Sequence, residues 1–186
     1  MKQPENDIRI SAAKKLALVG VMAATIECGK LALSFLPNIE VVTLLCALYG
    51  YVFGWYGVAA AAVFVCIEPL IYGFGSWVIT YALYWPAVAA VFMLFGRIGL
   101  KNRWLLSASA VGMTVIFGIG SATIDTAFYL GINENYFANL IVYYIRGSIF
   151  YAVQIACNAA LFLTVFLYLS DKLSYIRKLI GAKYVK

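Results

Sequence analysis

The sequence contains no histidine, and this absence removes the commonest general base and the commonest zinc ligand. Hydrolases that depend on either are therefore disfavoured. Charged residues are also scarce, at 12% of the chain, whereas hydrophobic residues make up 65%. A soluble monomer cannot expose that much apolar surface to water, so the composition predicts an integral membrane protein.

The chain has few cysteines, and none of them is paired in the sequence. Cys28, Cys46, Cys66 and Cys157 stand singly in apolar runs, without the spacing of a metal or redox centre. We interpret them as small buried hydrophobic side chains. Neither a metal nor a cofactor is expected.

The 14 lysines and arginines are distributed very unevenly along the chain. All but Lys30 and Arg146 fall in three places. The N-terminal arm has Lys2, Arg9, Lys14 and Lys15, and one central connection has Arg97, Lys101 and Arg103. The C-terminal tail has Lys172, Arg177, Lys178, Lys183 and Lys186. Because cytoplasmic flanks of membrane proteins collect basic residues, both termini and the central connection are predicted to lie in the cytoplasm. The net charge of +6 then requires no nucleic-acid partner, and we expect none.

The apolar runs predict six membrane-spanning helices in one all-α domain that covers residues 1–186. Their predicted ranges are about 11–35, 40–53, 56–72, 77–96, 104–130 and 138–170. The second run is short for a full span, so it must be tilted, extended or partly buried by its neighbours. The expected location is the cell membrane, with several passes through the bilayer.

Five ionisable residues from four predicted helices lie in the outer half of the membrane: Glu27, Lys30, Glu68, Asp125 and Arg146. A charge inside a spanning segment is costly and usually faces a pocket or a pathway. The set therefore predicts a solvated cavity that opens outward. The alternative, for some of these five residues, is that they form internal ion pairs, such as Glu27 with Lys30 one helical turn apart.

Polar and aromatic residues near the same end complete the predicted substrate-binding set. Aromatic side chains can stack on a flat ligand, although belts of Trp and Tyr are also ordinary at membrane interfaces. Ser121 shares a narrow helical face with Asp125, and Gln154 lies on the same helix as Arg146. The added residues are Asn38, Tyr72, Trp77, Tyr81, Trp85, Ser121, Tyr143 and Gln154.

A stripe of small residues follows one face of the first helix. Ala13, Ala17, Gly20 and Ala24 recur at spacings of four, three and four, which keeps them on one side of the helix. Small side chains let another helix approach closely. The sequence leaves open whether that helix belongs to a separate subunit or to this chain.

Together with the stretch Leu36-Pro37-Asn38-Ile39-Glu40-Val41-Val42-Thr43-Leu44 and the following Leu48–Gly54, these features resemble the substrate-binding S components of energy-coupling factor (ECF) transporters. The resemblance covers nearly the whole chain. It implies a membrane-embedded vitamin binder without ATPase activity, which docks through helix 1 on a transmembrane scaffold that carries two cytoplasmic ATPases and topples in the membrane during transport. The absence of a Walker-type phosphate loop agrees with this.

Two other functions are compatible with the sequence. One is a membrane enzyme of the outer leaflet, with Asp125 or Glu68 as acid or base, but no nucleophile stands beside a base at the required spacing. The other is a structural subunit without a ligand, which predicts that the outer charges pair completely and leave no cavity. We expect a binding protein and not an enzyme.

Overall fold

The computed structural model describes residues 11–37 and 39–181, and its regular elements are seven α-helices. They are α1 (Ala12–Ala32), α2 (Val42–Phe53), α3 (Trp55–Tyr72), α4 (Ser76–Arg97), α5 (Arg103–Leu130), α6 (Tyr136–Thr164) and α7 (Phe166–Leu179). The prediction of an all-helical protein is confirmed for these residues.

Four of these helices, α3 to α6, are long and apolar enough to cross a membrane. The first two helices have a different character. At 1.5 Å per residue, the 12 residues of α2 span only about 18 Å, and α1 carries Lys14, Lys15, Glu27 and Lys30 within 21 residues. Six complete spans therefore stay a prediction.

The short helix α2 is the centre of the bundle. Every one of its residues except Leu45 is buried, and it packs against α1, α3, α4, α6 and α7. A Cβ atom on Gly50 would lie 2.0 Å from the carbonyl oxygen of Ala89, so the backbones of α2 and α4 are in direct contact. Of the three arrangements expected for the short run, the structure has the one buried by its neighbours.

Hydrogen bonds between helix ends define two ends of the bundle. At the first, Ser76 at the start of α4 meets Asp125 near the end of α5, with Oγ donating to Oδ1 over 2.5 Å. At the second, the hydroxyl of Tyr51 donates to the carbonyl of Leu100, over 2.8 Å, in the connection between α4 and α5. We call the second end the basic end, because it holds the start of α1, the 98–102 connection and α7.

The last predicted helix is divided, so the prediction of one helix over 138–170 is wrong. The first helix ends at Thr164, Val165 departs from helical geometry (φ −107°, ψ −31°), and α7 begins at Phe166. Phe166 and Ser170 of α7 are buried against the bundle. The break has no glycine or proline to mark it in the sequence.

The cysteines do not all behave as expected. Cys46 is buried in α2, but Cys28 and Cys66 are exposed on the surface of the bundle. The interpretation of all four as buried side chains is therefore wrong for these two. Their neighbours on α1 and α3 face the core instead, since Glu27 and Glu68 are buried.

Candidate functional site

A cavity of about 270 Å³ lies at the end of the bundle opposite the basic end. That volume is near the lower limit of small-molecule pockets, roughly 300 Å³. Its walls come from six helices, α1 to α6, and from the segment that joins α1 to α2. The lining residues are Lys30, Leu33, Ser34, Leu36, Pro37, Ile39, Glu40, Val42, Phe64, Tyr72, Tyr81, Trp85, Phe117 and Gln154.

Five residues of the predicted binding set line this cavity: Lys30, Tyr72, Tyr81, Trp85 and Gln154. They come from α1, α3, α4 and α6, which the sequence separates widely. The bundle brings them together because these helices pack around the start of α2. The cavity combines one ammonium group, one amide and three aromatic rings from this set.

An ion pair forms one wall of the cavity. The Nζ atom of Lys30 donates to Glu68 Oε2 and lies 4.2 Å from the ring centroid of Tyr72 and 5.4 Å from that of Tyr81. The side chain of Lys30 is 25% exposed, whereas that of Glu68 is completely buried. Lys30 therefore reaches the cavity while Glu68 stands behind it. The alternative pairing of Lys30 with Glu27 is not the one that the structure has.

Glu27 is buried in the same region of the bundle, at 8% exposure. Within residues 11–37 and 39–181, neither of its carboxylate oxygens accepts a hydrogen bond, and the same holds for Oε1 of Glu68. Burying a carboxylate without donors is costly. Two buried carboxyl groups thus share one lysine at this wall.

Glu40 holds the opposite wall together, although it is not among the residues predicted to bind the substrate. Its Oε1 accepts hydrogen bonds from Thr43 Oγ1 (2.5 Å), Gln154 Nε2 (3.2 Å) and Asn158 Nδ2 (3.3 Å), and its Oε2 accepts from the Thr43 backbone N–H (2.9 Å). The fully buried Asn158 also donates to Thr114 Oγ1 over 3.0 Å. A carboxylate at the start of α2 is further stabilised by the helix dipole.

A recognisable signal for Glu40 was present in the sequence. It stands three residues before Thr43 at the beginning of an apolar run, and an acidic side chain just before a helix is stabilised by the helix dipole. Its partners on α6 are more than a hundred positions away and carry no local signal.

Aromatic side chains form a continuous wall along α4. The rings of Trp77 and Tyr81 are 5.2 Å apart and those of Tyr81 and Trp85 are 5.5 Å apart, each pair edge to face. Phe117 of α5 lies 5.9 Å from Trp85. Trp77 does not line the cavity itself but supports Tyr81. The indole N–H of the buried Trp85 finds no acceptor among the described groups.

Ser121 and Asp125 form a separate polar contact outside the cavity lining. Asp125 Oδ1 accepts from Ser76 Oγ over 2.5 Å, and its Oδ2 accepts from Ser121 Oγ over 3.5 Å. The first bond joins α4 to α5, and the second lies within α5. The expectation that the outer charges converge on one cavity is therefore wrong for Asp125, because its carboxylate is engaged between two hydroxyls.

Arg146 and Tyr143 also lie away from the cavity. Arg146 is exposed on the surface of α6, and Tyr143 is half-buried. Eight residues at about 100° each place Arg146 about 80° around the helix from Gln154. The polar stripe on this helix was too broad to identify one inward face. Asn38, the remaining predicted residue, lies outside the described residues.

The small-residue stripe of α1 is open to the outside of the bundle. Ala13, Ala17, Gly20 and Ala24 are all exposed, and a Cβ atom on Gly20 would have nothing within 4 Å. The buried face of α1 consists of Met22, Ala23, Ile26 and Glu27. Ala17 lines a groove that it shares with Ile176 and Leu179 of α7, whereas the stripe is open at Gly20.

The chain matches no protein-family model, no curated protein and no solved structure. Functional assignment therefore depends on the geometry of the site. The described residues contain no group of three or more His, Cys, Asp or Glu side chains that would hold a metal ion. What the cavity offers is an ammonium group and a carboxylate on opposite walls with aromatic rings between them, which suits a small polar ring system.

Proposed function

We propose that the chain is the substrate-binding S component of an ECF-type importer in the cell membrane. It captures a vitamin or a related heterocyclic micronutrient from outside the cell. The observation that carries the proposal is the cavity at the end opposite the basic end, where Lys30, Gln154 and the aromatic wall of α4 meet. The bias of basic residues puts that cavity on the outer side of the membrane.

The chemistry of the walls suggests how such a ligand binds. A heterocycle stacks against Tyr81 and Trp85. A carbonyl or anionic group of the ligand accepts a hydrogen bond from the Lys30 ammonium, which has three donors and uses one toward Glu68. A ring N–H group faces Glu40 on the opposite wall.

The exposed stripe of α1 supports the second half of the proposal. Small side chains allow the backbone of a partner helix to approach closely in the membrane. We assign this face to a transmembrane scaffold subunit that carries two cytoplasmic ATPases. The chain itself lacks a phosphate-binding loop, so the energy of transport comes from those partners.

Geometry disfavours the two other functions. Asp125 is bonded to two serines, and Glu68 is paired behind Lys30, so neither presents a free carboxyl to the cavity as an enzyme would require. A ligand-free structural subunit predicts complete pairing and no cavity. The unpaired oxygens of Glu27 and the open volume beside Lys30 are at odds with that prediction.

Ligand binding is tested by native mass spectrometry of the purified protein for a co-purifying small molecule, followed by calorimetry with a panel of vitamins. We expect one ligand mass and saturable heat. The double variant Lys30→Met/Glu68→Gln, which leaves no buried charge in the ion pair, should weaken binding about tenfold or more, since a hydrogen bond to a charged group contributes roughly 1.5–3 kcal/mol. Arg146→Met removes the same charge outside the cavity and should leave affinity unchanged. A folded protein that binds no member of the panel contradicts the proposal.

Docking is tested separately with Gly20→Leu. This variant should bind ligand normally but fail to co-purify with the scaffold and ATPases, because a leucine on the stripe holds the two helices apart. Gly112→Leu is the matched control, since Gly112 on α5 is equally exposed and has nothing within 4 Å of an added Cβ. Co-purification of both variants at wild-type yield would remove the stripe from the interface.

A further inference from the structure

A second and larger cavity, of about 700 Å³, lies at the basic end of the bundle. Its walls come from the end of α4, the 98–102 connection, α7 and Tyr51 of α2. Ligand capture at the opposite end makes no use of it. The volume is more than twice that of the ligand cavity.

The charge of this cavity is strongly positive. Arg97, Lys101, Arg177 and Lys178 line it, against the single carboxylate of Asp171. Lys101 Nζ lies 3.7 Å from Asp171 Oδ1, but both side chains are more than 70% exposed, so this pair is solvated and weak. An excess of three positive charges therefore surrounds one concave surface.

Two hydrogen bonds hold the cavity in shape. The guanidinium of Arg177 donates to the carbonyl of Val52, which attaches α7 to the end of α2. The Tyr51 hydroxyl donates to the carbonyl of Leu100 over 2.8 Å and ties the 98–102 connection to the same helix. The cationic groups are thus carried by three segments that are fixed to one another, and not by a loose tail.

Apolar side chains beside the cavity indicate that it opens at the membrane boundary. Ile98 and Trp104, on either side of Lys101, are 74% and 70% exposed. On α7, Tyr175 and Leu179 are 62% and 67% exposed. Exposed aromatic and aliphatic residues next to basic ones are typical of segments that lie in the headgroup region of a bilayer.

We propose that this basic cavity binds the phosphate group of an anionic phospholipid. Cytoplasmic flanks gather basic residues in general, but that bias alone does not bring four of them around one cavity bordered by membrane-seeking side chains. Basic pockets between helices at the membrane surface suit phosphate headgroups, and arginine donates two parallel hydrogen bonds to phosphate. The cavity has room for a headgroup with its glycerol.

The test is native mass spectrometry of the delipidated full chain titrated with phosphatidylglycerol. We expect one tightly bound lipid for phosphatidylglycerol and no comparable adduct for phosphatidylcholine. The double variant Arg97→Gln/Lys178→Gln should weaken the adduct about tenfold or more, because each loses a charge-assisted hydrogen bond. Lys101→Gln, at a largely exposed position, is a milder variant that should weaken it in the same direction.

Lys172→Gln is the matched control, since it removes one positive charge from α7 outside the cavity lining. Equal losses for Lys172→Gln and for the cavity variants would overturn the proposal in favour of diffuse attraction to the whole basic end. Equal binding of phosphatidylcholine would also overturn it. A third arm adds inorganic phosphate: if phosphate displaces the lipid at low millimolar concentration, the site belongs to a soluble phosphate and the assignment to lipid is wrong.

Discussion

Replacing Lys30 with methionine should destabilise the protein by about 3–5 kcal/mol, the usual effect of removing one partner from a buried ion pair. Glu68 has no exposed side-chain surface, so it would stay in the interior as a charge without its cation. Glu27 is buried nearby and offers Glu68 no compensating cation. Methionine keeps most of the length and the apolar contacts of the lysine stem.

Replacing the acidic partner of the ion pair should destabilise the protein less. In Glu68→Gln, the amide oxygen still accepts a hydrogen bond from Lys30, whose ammonium is partly exposed and lies over the Tyr72 ring. We expect a loss of about 1–2 kcal/mol. The double variant Lys30→Met/Glu68→Gln leaves no buried charge in the pair. It should therefore be more stable than the sum of the single losses predicts, by about 2 kcal/mol.

The assay is thermal unfolding in detergent followed by the fluorescence of the tryptophans. For a protein of this size each kcal/mol corresponds to about 2–4 °C, so Lys30→Met should lower Tm by about 6–20 °C. Arg146→Met, which removes an exposed cation from α6, is the control and should melt close to wild type. The reasoning would be refuted if the stability losses of the two single variants simply added in the double variant, or if Lys30→Met left Tm unchanged.

Two further predictions use the same melting assay. Gly50→Ala should lower the free energy of unfolding by about 1–3 kcal/mol or more, because its Cβ would lie 2.0 Å from the Ala89 carbonyl oxygen. Gly20→Ala is the control and should not be destabilised, since an added Cβ there has nothing within 4 Å. Equal Tm values for the two variants would contradict the close contact of α2 and α4. Glu40→Gln should lower the free energy of unfolding by about 1–3 kcal/mol, because the single amide oxygen cannot accept hydrogen bonds both from the Thr43 N–H and from the donors that now bind Oε1. A wild-type Tm would show that the charge of Glu40 is dispensable.

Several helix bounds could be read closely from the apolar runs. The predicted 77–96 and 104–130 correspond to Ser76–Arg97 and Arg103–Leu130 in the structure. Charged and polar residues end these runs on both sides, so the boundaries have a local cause. The division of the last helix at Val165 has no such cause, since it depends on how Phe166 and Ser170 pack against the bundle.

The partners of the polar residues were much harder to predict. The sequence offered Glu27 to Lys30 at one turn, but the structure pairs Lys30 with Glu68, 38 positions away, because α1 and α3 lie side by side. Asp125 looked like a cavity residue from its depth. Its neighbour Ser121 lies on the same helical face, but its contact with Ser76 became visible only with the packing of α4 on α5. Depth along a helix can be counted from the sequence, whereas the direction of a side chain depends on its neighbours.

By itself, the sequence determined the helical class and the presence of helices that are long and apolar enough to cross a membrane. Apolar length and the cost of burying charge are properties of single segments, so these conclusions need no knowledge of packing. Only the tertiary structure decided that α2 is buried at the centre, that Glu40 joins Gln154 and Asn158, and that Arg146 lies outside the cavity. These outcomes depend on contacts between segments far apart in the chain, and no local pattern encodes them.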